Sequence, residues 1–455
     1  MAVKREHFSS RSAVIMAMAG SAIGLGNIWR FPYMVGEHGG AAFVLLYVLA
    51  TLLVSLPVFI AEITLGRSSG IGAYSAMSKL DPGRRFWKFA GLLAIIIPLL
   101  IDSYYSVIGG WSLDYLLKAC GGQFINNTPD EVSGLFGSFI SSPWAPLIFH
   151  LVFLAISCFI VGFGVKTGIE KFSKVSIPVL FFLILGMIAY SVTLPGAGAG
   201  VKYLFKPDFS QITPRSFAYA LGQSFYSLSL GMGAIVTYGS YVHKKEDLVV
   251  SSAGTAVSDL LFAVLAGMAI MPAVFAAGIE PSAGPGLIFQ SIPYIFASIG
   301  AKSPVLATIV SIAFFLSGVV AALTSCISLL EVGTTFLKER FGVSRWKAVL
   351  MLFIFCGGLG ILCSLSFGPL ADIKIIGKGI FDLLDWFCSN ILLLILAFIT
   401  VIFVGFFMDK DTVKAEMTNN GEKKRNAGLF SIIYFQIKWL APLAIAAILI
   451  TNFIL

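Results

Sequence analysis

Charged residues are scarce in this sequence. Asp, Glu, Lys and Arg make up 12% of its 455 residues, whereas a soluble domain carries about 25%. Hydrophobic residues account for 58%. Since so few charges cannot cover the surface of a water-soluble protein of this length, the composition predicts a chain that lies in a lipid bilayer.

Cysteine and histidine are also sparse, with six and four residues. Every cysteine except Cys120 lies in an apolar stretch, so we expect no structural disulfide. The histidines are scattered and lack the short spacing of metal ligands, which argues against a metal site built on histidine. The sequence brings no catalytic cluster together either, such as paired histidines or a nucleophile beside a base, so a membrane enzyme is not favoured.

Long apolar runs are what the sequence has instead. A membrane helix needs about 20 residues, and eleven runs of this kind are bounded by charged or Gly/Pro-rich breaks. Stretches such as 92–100 and 391–404 are continuously apolar rather than alternating, which favours helices over a membrane β-barrel. The predicted class is therefore an all-α membrane protein. Its helices are expected near residues 11–36, 41–65, 86–117, 147–164, 172–194, 213–241, 250–277, 303–337, 345–366, 379–407 and 429–454.

The distribution of positive charge predicts an orientation. If the N-terminus is cytoplasmic, most Lys and Arg residues fall in cytoplasmic loops, as the positive-inside rule requires. An odd number of helices then leaves the C-terminus outside. This topology, together with anionic lipid headgroups, accounts for the net charge of +8. We expect membrane lipid and no nucleic acid as a partner, and the oligomeric state stays open.

Two of the eleven predicted helices contain segments that disfavour a helix. Residues 20–27 read GSAIGLGN and residues 229–233 read SLGMG, and each glycine weakens a helix by about 1 kcal/mol relative to alanine. Irregular backbone survives at membrane depth only where it lines a cavity or contacts a ligand. Breaks at corresponding places in two halves of a chain point to a transporter binding site. The alternative is close packing of small residues between helices, which one such segment alone would not exclude.

Four stretches carry a resemblance to a known family: residues 5–33, 222–241, 284–289 and 321–326. They read REHFSSRSAVIMAMAGSAIGLGNIWRFPY, GQSFYSLSLGMGAIVTYGSY, GPGLIF and AALTSC. The sequence resembles the neurotransmitter:sodium symporters and is similar to bacterial amino-acid members of the LeuT type, from residue 5 to the tenth helix. The resemblance implies one transporter domain with a five-plus-five inverted repeat and broken helices one and six. Repeat one would cover about 11–194, repeat two about 213–407, and a peripheral eleventh helix about 429–454.

The resemblance also implies a function. The protein is expected to be a sodium-coupled symporter for hydrophobic or aromatic L-amino acids (the tryptophan, tyrosine, phenylalanine and leucine class), working by alternating access in a bacterial inner membrane. Monoamine-transporting members carry an aspartate at the position of Gly24, where it binds an amine that lacks a carboxylate, so glycine favours an α-amino acid. A channel would need a continuous pore lined by charges or carbonyls. A sensor of the same fold that does not transport remains an alternative.

Two sodium sites are implied by the same resemblance. Sodium is a hard cation that prefers oxygen ligands, and hydroxyl, amide, carbonyl and carboxylate oxygens all occur beside the two breaks. The first site would use Ala22, Asn27, Ser227, Asp259 and the carboxylate of the substrate. The second would use Gly20, Ile23, Ala321, Thr324 and Ser325.

Asp259 is an ionisable residue inside a predicted membrane helix, which makes it a functional candidate. Many members of the family carry asparagine there and need chloride, in a pocket that here would comprise Tyr47, Gln223, Ser227 and Ala263. A fixed carboxylate can replace the anion, so we expect chloride-independent transport. Asp259 could also take up a proton on the return step, and a structural ion pair is the alternative.

Substrate and gate residues follow from the resemblance. Asp102, one turn before Tyr105, is left unassigned: it could reach a phenol or indole N–H of the substrate or face the outer vestibule. The outer gate would pair Arg30 with Asp385, and the inner gate would use Arg5, Glu339 and Tyr241. The substrate site would be made of Ser21, Ala22, Leu25, Gly26, Ile101, Tyr105, Tyr226, Ser227, Ser229, Met232, Ser325, Ser328 and Leu329.

Overall fold

The computed structural model of the protein describes residues 6–278, 289–300 and 303–454. Within these ranges every regular element is a helix, apart from one isolated antiparallel bridge between Ile375 and Lys378. The predicted all-α class is confirmed. Arg5 and most of the 284–289 motif lie outside the described residues.

Eleven membrane segments can be followed through the described chain. Nine helices are long and apolar enough to span a bilayer, and two helices joined by a 52° bend form a tenth segment. The predicted sixth helix is split into two shorter pieces and completes the set. In chain order the segments are α1a (Arg11–Ala22), α1b (Gly26–Glu37), α2 (Ala41–Ser69), α3 (Phe86–Cys120), α4 (Ala145–Gly162), α5 (Val165–Ser191), α6a (Pro214–Ser227), α6b (Ala234–Gly239), α7 (Leu248–Ala276), α8 (Pro304–Phe341), α9 (Arg345–Leu365), α10 (Ile380–Phe407) and α11 (Lys424–Asn452).

Short helices connect the membrane segments. They were not expected from the sequence, because they are too short or too polar to match the length of a bilayer span. Thr128 opens one of them with a capping box, in which its hydroxyl and backbone N–H both pair with Glu131. The connecting helices are Ala73–Leu80, Gln123–Asn126, Pro129–Ser141, Ala197–Phe205, Ser291–Gly300 and Lys410–Thr418, with a 3₁₀ turn at Phe209–Gln211.

The interior is organised around α3 and α8, the two longest helices, which pack against each other along their length. α1a packs against α5, α7 and α8, and α6b packs against α2. Both broken segments are therefore enclosed by continuous helices. Large apolar side chains on the periphery are exposed, for example Phe182 at 76% and Val305 at 73%, as expected of surfaces that contact lipid tails.

Candidate sodium and substrate site

The first helix is interrupted between Ala22 and Gly26. Ile23 has an extended backbone with ψ 98°, which ends α1a. The amides released by this break are satisfied by side chains: Gly24 N–H donates to Asn27 Oδ1 at 3.1 Å, and Leu25 N–H donates to the Tyr105 hydroxyl at 3.0 Å. The interruption predicted from the glycine-rich sequence is confirmed, and its backbone N–H groups pair with Asn27 and Tyr105, two side chains expected at the sodium and substrate sites.

The sixth helix is interrupted over residues 228–233. Ser229, Gly231 and Gly233 in this segment all have positive φ. Only glycine fits at position 231, because an added Cβ would lie 2.8 Å from the backbone carbonyl carbon of Leu393. The Ser229 hydroxyl donates to the Ser21 carbonyl oxygen at 2.8 Å, so the second break is fastened to the first.

A pocket with about 340 Å³ of empty space lies where the two breaks meet α3 and α8. Its lining residues are Ser21, Ala22, Gly24, Gly26, Ile101, Tyr105, Tyr226, Ser227, Ser229, Met232, Ser325 and Leu329.

Two residues expected in the substrate site, Leu25 and Ser328, do not line the pocket but hydrogen-bond to residues that do. Leu25 contributes its backbone N–H, which the Tyr105 hydroxyl accepts. The Ser328 hydroxyl accepts a hydrogen bond from Ser21 at 2.8 Å. All other residues expected to bind substrate line the pocket.

Asp259 of α7 is the centre of a fully buried polar cluster beside this pocket. Asn27 Nδ2 donates to Asp259 Oδ1 at 2.8 Å, and the Ser227 hydroxyl lies 2.8 Å from both carboxylate oxygens. The Tyr47 hydroxyl donates to Oδ2 at 3.3 Å. Neither Asn27 nor Asp259 is exposed to solvent. The predicted first-site side chains are thus brought together by α1b, α6a and α7.

The residues expected at the second sodium site converge as well. The Thr324 hydroxyl of α8 lies 3.3 Å from the Ile23 carbonyl oxygen and 2.9 Å from the Ala321 carbonyl oxygen. The Ser325 hydroxyl donates to the Ser21 carbonyl oxygen at 3.2 Å. Gly20 packs against Thr324, since an added Cβ there would lie 3.5 Å from the Thr324 Cβ.

The donor chemistry of both clusters fits sodium. Each consists of oxygen atoms from carbonyls, hydroxyls, an amide or a carboxylate, which are the ligands that hard cations prefer. The first cluster contains a formal negative charge and the second does not. Because carbonyls released by a broken helix have lost their helical partners, they are free to point at a cation.

On the outer side, Arg30 lies above the pocket rather than in a tight ion pair. Its guanidinium carbon is 4.6 Å from the centroid of the Tyr226 ring, a cation–π contact. Arg30 and Asp385 line the same outer vestibule and interact electrostatically. Tyr226 therefore separates the vestibule from the pocket.

On the inner side, Tyr241 follows α6b and forms a buried contact with α8. Its hydroxyl donates to Glu331 Oε1 at 2.7 Å and lies 2.6 Å from the Thr335 hydroxyl. Its carbonyl accepts a hydrogen bond from Phe8 N–H at 3.2 Å. Glu339 accepts hydrogen bonds from Gly72 N–H at 3.0 and 3.2 Å. Its expected partner Arg5 lies outside the described residues.

Two buried carboxylates in this region were missed from the sequence. Glu62 of α2 accepts a hydrogen bond from Gly231 N–H at 2.7 Å and so holds the break in helix six. Glu331 forms an ion pair with Arg345 of α9. Each is an acidic residue inside an apolar run, a signal that marks functional positions in membrane helices and that could have identified both.

Asp102 neither reaches the substrate pocket nor faces the outer vestibule, the two positions expected from the sequence. It is not exposed to solvent, which excludes the vestibule, and it does not line the pocket. Its Oδ1 instead lies 2.7 Å from the Cys326 sulfur of α8.

With this geometry in place, the comparison with known proteins is direct. The model of the sodium:neurotransmitter symporter family matches residues 5–127 and 142–455. The chain belongs to this family. The family consists of secondary transporters and not enzymes, and its bacterial relatives are sodium-dependent.

Full-length relatives agree with this assignment. The chain is 37% identical to the sodium-dependent transporter YhdH of Bacillus subtilis over 97% of this chain and 96% of that protein. It is 36% identical to a sodium-dependent transporter of Haemophilus influenzae over 99% and 98% of the two chains. The structure of MhsT in complex with L-phenylalanine matches with a TM-score of 0.90 and 40% identity, covering 98% of this chain and 100% of that one. The resemblance, the fold and the sodium-dependent transporter class expected from the sequence are confirmed.

Proposed function

We propose that this symporter couples the entry of two sodium ions to the uptake of an α-amino acid with a large apolar or aromatic side chain, without a requirement for chloride. The observation that carries the proposal is the pocket at the junction of the two breaks, where main-chain groups, hydroxyls and apolar side chains meet. The relative that was solved with L-phenylalanine supports the substrate class.

The polar end of the pocket suits an amino acid. The positive ends of half-helix dipoles favour a carboxylate. The Leu25 N–H donates to the Tyr105 hydroxyl oxygen there, which leaves the hydroxyl proton of Tyr105 to donate to a substrate carboxylate. A side chain at Gly24 would crowd the site, since an added Cβ would lie under 3.0 Å from both the Ser325 and the Tyr105 hydroxyl oxygens. A substrate that brings its own carboxylate is therefore favoured over a simple amine.

The other end of the pocket favours a bulky side chain. Ile101, Met232 and Leu329 supply apolar walls, and Tyr226 supplies an aromatic face. Methionine is unbranched and flexible, so Met232 can repack around ligands of different size. This supports a preference for phenylalanine, tyrosine, tryptophan and leucine over small or charged amino acids.

The carboxylate of Asp259 supports chloride independence. The Tyr47 and Ser227 hydroxyls, two of the groups that would form the chloride pocket, both donate to it. Ala263 offers no hydroxyl to an anion and packs in an apolar cluster with Tyr47. A fixed negative charge within this cluster compensates the sodium charge without a mobile anion.

The gates support alternating access. Tyr226 and Arg30 cover the pocket from the outer vestibule, and the contacts of Tyr241 with Glu331 and Phe8 close the inner side. The predicted orientation, with a cytoplasmic N-terminus and an outside C-terminus, is part of this proposal.

A binding screen tests the proposal. Purified transporter is assayed with labelled phenylalanine in NaCl, in sodium gluconate and in choline chloride, and each of the twenty amino acids is added as a competitor. We expect binding in both sodium buffers but not in choline, and competition by large apolar and aromatic amino acids. Binding that needs chloride would refute the role of Asp259, and competition only by small or charged amino acids would refute the substrate class.

A further inference from the structure

Asp102 is a buried carboxyl group that the transport mechanism described above does not use. It lies on α3 next to Ile101, but its side chain points away from the substrate pocket toward α4, α8 and α9. Neither Asp102 nor its contact Cys326 is exposed to solvent.

The environment of this carboxyl gives a negative charge almost no support. Among the described residues, Oδ1 accepts one hydrogen bond, from the Cys326 thiol at 2.7 Å, and a thiol is a weak donor. Oδ2 has no hydrogen-bond partner among the described residues. The Cys356 thiol of α9 is a second weak donor that faces the carboxyl, and it also contacts the Leu99 carbonyl oxygen at 3.7 Å.

None of the groups that face Asp102 in the described chain is a cation. The titratable side chains around it are Cys326 on α8, Cys356 on α9, Cys158 on α4 and Tyr105 on α3 itself. His150 of α4 hydrogen-bonds the Gly357 carbonyl oxygen instead, at 3.3 Å. The described residues also contain no group of three or more His, Cys, Asp and Glu side chains that could hold a metal ion.

Asp259 shows how much more support a buried carboxyl group receives elsewhere in the same protein. It accepts hydrogen bonds from Asn27, Ser227 and Tyr47 and belongs to a proposed sodium site. An isolated ionised carboxylate in a low-dielectric interior is costly, and such a group binds a proton instead. The two aspartates therefore have opposite environments.

We propose that Asp102 is a proton-binding site, and that the transporter carries this carboxyl as a neutral acid hydrogen-bonded to Cys326 behind the substrate pocket. Asp102 is then a positioning residue. Its neighbour in sequence, Ile101, and the neighbour of Cys326, Ser325, both line the pocket, so the Asp102–Cys326 contact joins two walls of the site from behind. Loss of the proton would leave an unpaired negative charge at the Asp102–Cys326 contact and disturb both walls of the pocket.

Infrared spectroscopy of the purified protein tests protonation directly and does not depend on which substrate is transported. We expect a carbonyl stretching band of a protonated carboxylic acid that disappears in Asp102→Asn. The matched control is Asp114→Asn, on the same helix, whose carboxylate forms an ion pair with Lys118 and which should leave the band in place. Cys326→Ala should shift the band, because it removes the hydrogen bond without removing the acid.

Binding of labelled phenylalanine in saturating sodium supplies a second readout. Asparagine resembles the neutral acid in shape, so Asp102→Asn should keep the affinity within roughly twofold of wild type. Binding to the wild type should fall as the pH is raised and the proton leaves, whereas binding to Asp102→Asn should not show this loss.

Two results would overturn the proposal. One is an acid band that Asp102→Asn leaves unchanged. The other is a roughly tenfold or larger loss of affinity in Asp102→Asn that Asp102→Glu restores, because a charge and not a proton would then be needed. If the wild type binds no phenylalanine, the proposed substrate class fails, while the infrared band still decides the state of Asp102.

Discussion

Replacing Asp259 with asparagine removes one negative charge from the first sodium site while keeping its shape. The amide can still offer one oxygen to the cation. Its NH₂ group, however, replaces one of the two carboxylate oxygens that accept hydrogen bonds from Ser227 and Tyr47. We therefore expect weaker sodium binding and, with it, weaker sodium-dependent binding of the amino acid.

The magnitude follows from the geometry of the cluster. Asn27 and Ser227 each lie 2.8 Å from Asp259, so a sodium ion bound by all three would sit within about 4 Å of the carboxylate, where a pair of unit charges interacts by about 4 kcal/mol at an effective dielectric of 20. Desolvation and the retained amide oxygen offset part of this energy. We expect a net loss of about 2 kcal/mol, or roughly a 30-fold increase in the sodium concentration needed for half-maximal binding.

The assay is equilibrium binding of labelled phenylalanine over a range of sodium concentrations, with choline keeping the ionic strength constant. Asp114→Asn is the matched control, because it removes the charge of an aspartate on α3 that pairs with Lys118 and has no proposed role in sodium binding. A sodium dependence of Asp259→Asn within about twofold of wild type would refute the assignment of Asp259 as a charged sodium ligand.

Three further predictions concern the pocket and the inner gate. Met232→Phe should overpack the apolar end by about 1–3 kcal/mol, so competition binding should show tryptophan weakened relative to leucine, and an unchanged order of preference would contradict the proposed wall. Gly24→Ala puts a Cβ under 3.0 Å from both the Ser325 and the Tyr105 hydroxyl oxygens. Displacing the Tyr105 hydroxyl leaves the Leu25 amide unpaired at a cost of about 1–3 kcal/mol, which we expect to appear as a roughly tenfold or larger loss of affinity in the same assay. Tyr241→Phe removes a hydrogen bond to the Glu331 carboxylate worth about 1.5–3 kcal/mol. It should therefore speed amide hydrogen exchange at the start of the first helix, and unchanged exchange would contradict a role of Tyr241 in the inner gate.

Much of the fold follows from the sequence because a bilayer imposes a length and a polarity on each helix. The predicted third helix, 86–117, is observed as Phe86–Cys120, and the predicted eighth, 303–337, as Pro304–Phe341. The break in the first helix was also predicted, since glycine both weakens a helix and marks backbone used by a ligand. The connecting helices, such as Ala73–Leu80, were not, because they lie outside the apolar periodicity that a bilayer imposes.

The sequence predicted the site residues that lie close to the two breaks along the chain. It did not predict the residues that are distant in sequence and contact the breaks only in the folded protein. Glu62 reaches Gly231 across 169 residues, and nothing local to either position indicates that contact. The same holds for Asp102, whose environment is set by cysteines on α8 and α9. A charge inside an apolar run is visible in the sequence, but whether a cation, a hydrogen-bond donor or a proton compensates it depends on packing.

Transport by the purified protein in sealed liposomes tests the central claim most directly, namely that the two broken helices form one pocket where sodium and an amino acid bind together. With sodium outside and potassium inside, labelled phenylalanine should accumulate above its external concentration, both in chloride and in gluconate, and collapse of the sodium gradient should release it. Accumulation that is unchanged when potassium replaces the external sodium, or phenylalanine binding without any sodium-driven accumulation, would contradict the account.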